Sequence, residues 1–141
     1  MLPLQHAIRW HAVSILLLLL VLVAALMPAV WFWTDRHSYV RWIVNADKWL
    51  HGATFVILAL WFAGQYRPGW YWRIALGLTL FGVFIEACQR LVTYRSADVL
   101  DIVADAAGIG IGLAVALAGT GGWSLRFEHW LALRQASDDV G

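Results

Sequence analysis

The chain has 141 residues, of which 62% are hydrophobic and only 13% charged, with ten tryptophans and a formal net charge of +1. A soluble domain of this size would leave too much of that apolar surface in water, so composition excludes the soluble class and points to an integral membrane protein. The near-neutral balance excludes an electrostatic case for a nucleic-acid partner, and the lone Cys88 excludes an internal disulfide.

The length accommodates one membrane domain over residues 1–141 with four spans of about 20 residues each, an all-α bundle of four transmembrane helices. The first span is expected at about residues 12–33. Arg9 followed by the leucine-rich run from Ser14 imitates a secretory signal, but the apolar stretch continues to Trp33. Pro28 and Trp31-Phe32-Trp33 stand where small residues would mark a cleavage site, so the segment reads as a retained helix with an aromatic anchor at its far end. A polar connection from Thr34 to Asp47 leads to a second span at about 48–65. Gln65-Tyr-Arg-Pro-Gly-Trp forms a short turn punctuated by Pro68-Gly69. The third span is expected at about 70–89 and the fourth at about 98–118. Gly121-Gly122 then precedes an amphipathic piece, 123–134, suited to lie in the membrane interface.

Ionisable groups near hydrocarbon are costly and usually face protein or water at a functional site. Here they occur in three sets: Lys48 with His51, Glu86 with Gln89, and Arg95 with Asp98, Asp101 and Asp105. With four spans, the start of the second, the end of the third and the start of the fourth meet at one membrane face. Residues three or four apart share a helix face, so Lys48, His51 and Phe55 project together, as do Glu86 and Gln89. Asp98, Asp101, Asp105, Gly108 and Gly112 form one stripe. Its glycines permit close helix contact, turning the acids toward a neighbouring helix and away from lipid.

With Arg90 beside Gln89 counted as well, four acids (Glu86, Asp98, Asp101 and Asp105) stand against three bases (Lys48, Arg90 and Arg95) and one histidine, more than pinning helices together requires, which favours function over a purely structural ionic network. Two chemistries remain open. In one, His51 works with Glu86 or Asp101 as acid and base, while Lys48, Gln89, Arg95, Asp98 and Asp105 bind the substrate; arginine holds a phosphate or carboxylate bidentately. In the other, His51, Glu86, Asp101 and Asp105 ligate a divalent cation, although no compact HExxH-type motif supports it. The other histidines, His6, His11, His37 and His129, read as interfacial, and the tryptophans as anchors and packing.

The pattern Lys48-x-x-His51-x-x-x-Phe55, Gly82-x-x-x-Glu86-x-x-Gln89, then Arg95, Asp101 and Gly108-x-x-x-Gly112 resembles the VanZ-like family of small membrane proteins, over about residues 47–112. The family commonly has asparagine where this chain has Asp105. The resemblance implies a compact helical membrane domain, and its founding member is associated with low-level teicoplanin resistance in Gram-positive bacteria.

The expected protein thus sits in the bacterial inner membrane. Arg9, Arg67, Arg73, Arg126 and Arg134 fall on one side, against Arg36, Arg41, Lys48, Arg90 and Arg95 on the other. Setting aside Lys48 and Arg95 as parts of the site places both termini in the cytoplasm and the polar pocket outside. The expected partner is an anionic amphiphilic lipid or lipid-linked envelope precursor, bound or modified there. A non-catalytic module that binds lipid or modulates a partner complex is the competing reading. A small transporter fits less well, since neither a broken helix nor an inverted repeat is visible.

Overall fold

A computed structural model describes residues 2–27, 40–91 and 99–138. Among these residues every regular element is helical: α1 (Ala7–Leu26), α2 (Val40–Gln65), α3 (Tyr71–Arg90), α4 (Val99–Val115) and α5 (Trp123–Asp138). Three helical stretches are long and apolar enough to cross a membrane: Ala7–Leu26, Pro68–Arg90 and Val99–Thr120. The aromatic anchor expected at residues 31–33, and the site candidates Arg95 and Asp98, lie outside the described residues.

Two expected boundaries need correction. The first helix begins at Ala7 and ends at Leu26, where Met27 turns extended ahead of Pro28. The ring of a proline disfavours helical backbone in the residue before it, which accounts for the early stop. The second helix begins at Val40, so much of the stretch expected as a polar connection is helical. At 1.5 Å per residue its 26 residues reach about 39 Å.

Helix α2 is the axis of the bundle. It packs chiefly against α4, with α3, α5 and α1 also in contact. Phe55, Leu58 and Ala59 of α2 form the core with Leu78 and Ile85 of α3 and Ile109 of α4, and Leu17, Leu18, Val21 and Leu22 of α1 close over it. The opposite faces of the outer helices stay apolar and exposed, including Leu16, Leu19, Leu20 and Val23 on α1, Leu76, Leu80 and Phe84 on α3, and Val103 and Ile111 on α4. A belt of this kind on a bundle with its own core is what hydrocarbon solvates and water does not.

The α2–α4 contact depends on missing side chains. A Cβ at Gly108 would strike the carbonyl of Gly52. One at Gly112 would sit 2.7 Å from both Ala59 Cβ and Val56 O. Two backbones therefore meet where lipid offers no hydrophobic drive to bring them together and dispersion must do so. The stripe expected on the fourth span, Asp101–Asp105–Gly108–Gly112, is buried along its length.

Beyond α4 a π turn, Ala116–Thr120, carries Gly119 at φ +132°, and Gly122 follows at φ +70°. These left-handed positions suit residues without a Cβ and reverse the chain into α5. That helix does not hang loose. Ser124 Oγ donates to Gly64 O, Trp123 Nε1 donates to Leu60 O at 3.1 Å, and Gly122 N donates to Ala63 O at 3.2 Å.

Candidate functional site

Up–down packing brings the N-terminal halves of α2 and α4 to the same end of the bundle as the C-terminal end of α3. His51, Glu86, Asp101 and Asp105 are buried there at 8%, 3%, 3% and 1% exposure. Such burial is unusual for charged side chains unless each has a partner. His51 Nδ1 and Asp105 Oδ1 are 3.0 Å apart, linking α2 to α4. One turn toward the helix starts, Lys48 Nζ donates to Asp101 Oδ1 at 3.3 Å, and the lysine remains partly open to its surroundings. Glu86 arrives from α3. A ring nitrogen of His51 and one carboxylate oxygen each from Glu86 and Asp101 lie within 4.8 Å of one another.

Asp105 shows the site's limits. Its Oδ1 is engaged by His51, while the buried Oδ2 has no hydrogen-bond partner among the described residues. That oxygen points at Gly82 of α3, where a Cβ would fall 2.7 Å from it and 3.3 Å from Phe55 Cζ. Gly82 therefore makes room for the carboxylate, and Phe55 closes the apolar side. An unsatisfied buried acceptor costs about 1–3 kcal/mol, so it marks a place where folding alone does not explain the residue.

The residues read from sequence divide in three. Lys48, His51, Glu86, Asp101 and Asp105 are brought together on three helices. Gln89 is buried but turned elsewhere: its Nε2 donates to Ala25 O at 3.0 Å, tying the end of α3 to the last turn of α1. Arg95 and Asp98 fall outside the described residues.

A second polar network, at the opposite end of the bundle, escaped the sequence reading. Ser14, at the start of the leucine-rich run, accepts from Trp61 Nε1 at 2.9 Å and Gln65 Nε2 at 3.1 Å, and donates to Trp10 O at 2.8 Å. Trp10, Trp61 and Trp123 stand 5.5 Å apart, centroid to centroid, in each pairing. Glu128 of α5 accepts from Gln5 N at 2.8 Å, His6 N at 3.1 Å and Trp10 Nε1 at 2.8 Å. Burial pushes its carboxyl pKa up; the Gln5 amide, the Trp10 indole and the His6 amide and charge outweigh that and hold it below its usual value. The available signals were a serine and a glutamine inside apolar spans, and an acid, Glu128, set between Arg126 and His129.

The apolar belt, the glycine-mediated helix crossing and the buried ionisable cluster at one end define a helical membrane protein. Its family is VanZ/LLP1: the model of that family matches residues 5–120, and the chain belongs to it. Comparison with curated proteins and with solved structures gives no match.

Proposed function

We propose that this protein binds, and chemically acts on, the headgroup of an anionic amphiphilic lipid or lipid-linked glycan of the cell envelope. The observation that carries the reading is the convergence of Lys48, His51, Glu86, Asp101 and Asp105 at one end of a lipid-facing bundle. In this reading α2 is the fourth span, and its pairing with α4 carries Lys48 and His51 against Asp101 and Asp105 rather than against hydrocarbon. The bundle lies in the bacterial inner membrane with both termini cytoplasmic and the cluster outward, following the arginine distribution.

The chemistry follows from the pairings. Asp105 orients the His51 ring through Nδ1, so that His51 and Glu86 face a headgroup whose anionic oxygens Lys48 holds. The lipid tail stays against the apolar belt, and only the headgroup enters the polar end.

The test uses the full chain reconstituted in vesicles of phosphatidylglycerol and, in parallel, phosphatidylcholine, with retained lipid and released headgroup measured by mass spectrometry. Preferential retention of the anionic lipid, with a product that His51→Gln and Glu86→Gln abolish while membrane expression holds, is the expected outcome. Equal retention of both lipids with no product rejects it.

One observation favours a non-catalytic module instead. The Lys48–Asp101 and His51–Asp105 pairs cross the α2–α4 interface, where they also serve to fix register. That reading gives anionic-lipid retention without product, and tolerance of Asp101→Glu. A link to glycopeptide resistance is a further consequence of family membership, checked by whether expression raises the teicoplanin tolerance of a susceptible Gram-positive host.

A further inference from the structure

We infer that the buried cluster is a metal site: His51, Glu86 and Asp101 hold one divalent first-row transition-metal ion, and Asp105 is its positioning residue. Two independent observations support this. The first is the donor set itself. One imidazole nitrogen and two carboxylate oxygens from α2, α3 and α4 lie within 4.8 Å of one another, all buried. Metal–ligand bonds of about 2.0–2.2 Å place ligand atoms roughly 3–4 Å apart, so a small side-chain rotation closes the set. Asp101 gives one oxygen, Oδ1, to Lys48 and keeps the other for the ion.

The second observation is Asp105. It is 1% exposed, its Oδ2 has no hydrogen-bond partner among the described residues, and it sits between His51 and the α3 face that carries Gly82 and Glu86. A buried anionic group with spare acceptor capacity, beside a donor set, is stabilised by a cation in that set. Its Oδ1 also engages His51 Nδ1 at 3.0 Å. A carboxylate bonded to Nδ1 puts the neutral ring's proton there and orients the ring, the part such carboxylates play in carboxylate–histidine–metal triads.

The mixture of nitrogen and oxygen suits Mn²⁺, Fe²⁺ or Zn²⁺ better than Ca²⁺ or Mg²⁺, which take oxygen alone. Three protein ligands leave coordination positions open to water or to an anionic oxygen. The presence of the ion does not depend on the lipid reading. Its action on a headgroup rests on that reading.

The experiment strips the full chain in detergent with a chelator and titrates it with Mn²⁺ alone, following free Mn²⁺ by paramagnetic resonance, with Zn²⁺ as competitor. One equivalent per chain is expected, displaced by Zn²⁺, with Glu86→Gln and Asp101→Asn each weakening binding at least about tenfold at unchanged helical content. Those near-isosteric variants keep the test valid if His51→Ala fails to fold. Asp105→Asn is expected to cost about 10–100-fold and to erase the ¹⁵N signature of the Nδ1-protonated His51 tautomer. Absence of stoichiometric binding, or affinity unchanged in both Glu86→Gln and Asp101→Asn, overturns the site. An unchanged tautomer and affinity in Asp105→Asn overturn the positioning role. Because no lipid is present, failure here leaves the lipid reading to its own assay.

Discussion

Glu128 and Asp105 are both buried carboxylates, at opposite ends of the same bundle, and the fold treats them differently. Glu128 accepts from two backbone amides and an indole and so clasps the N-terminal turn to α5. Asp105 has His51 and an oxygen without a hydrogen-bond partner. A saturated carboxylate is accounted for by folding, because removing it orphans three donors. An unsaturated one is a cost that folding does not explain, and buried polar groups left in that state call for a second reason. The contrast separates a structural end of the molecule from a chemical one.

The largest expected effect breaks both ends together. Gly108→Leu drives a side chain into the Gly52 carbonyl and parts α2 from α4, on which both ion pairs depend. The overpacking cost, about 1–3 kcal/mol or more, is expected to abolish the monodisperse peak in detergent chromatography; a normal peak would show that the helices have another way to pack.

Glu128→Gln comes next and separates the ends. Loss of the charged acceptor is expected to cost about 1.5–3 kcal/mol, seen as faster amide exchange in the first turns of α1 and in α5. Lipid retention and Mn²⁺ affinity should stay within about twofold of wild type, since a charge this far away is largely screened. Asp105→Asn is the mirror experiment: thermal stability should move by less than about 1 kcal/mol, given one bond kept and one unsatisfied atom neutralised, while metal affinity falls.

The Glu128 clasp also has a pH signature. Its folded pKa lies below the unfolded one, so its contribution is fully present above the unfolded value and is lost as pH falls through the folded value. Fluorescence of the Trp10–Trp61–Trp123 cluster should therefore hold at pH values where ordinary carboxylates have begun to protonate, and change only below them. The same transition should be missing in Glu128→Gln. The smallest expected effect is at Arg134, whose guanidinium lies 4.6 Å over the Trp130 ring. Replacing it with alanine should cost about 0.5–1 kcal/mol at this exposed position, detectable as a small shift in the α5 exchange rates.

Much of the chemical end was legible in the sequence because helical spacing is a local property. Lys48, His51 and Phe55 on one face, and Asp101, Asp105, Gly108 and Gly112 on another, need only a 3.6-residue period to be aligned. Topology did the rest, since alternating spans carry three distant motifs to one end. The structural end was not legible. Glu128 is bound by main-chain amides, which leave no residue-type signature, and the serine in the leucine run gives no hint of which helix it meets. The early start of α2 was hidden for a related reason: the polar residues Arg41, Asn45 and Asp47 read as a connection by hydropathy, which measures affinity for lipid and not the tendency to be helical. The bond from Gln89 to Ala25 O was not legible either, because spacing fixes direction around an axis and not the reach of a side chain.

At Gly82 the chemical end is governed by an absence. The space a methyl group would fill there is taken by the free oxygen of Asp105, with Phe55 behind it. Adding that methyl would press the carboxylate toward His51 without altering a single ionisable group. The geometry of the cluster can therefore be altered through a residue that has no side chain, and a scan confined to charged positions would pass over it.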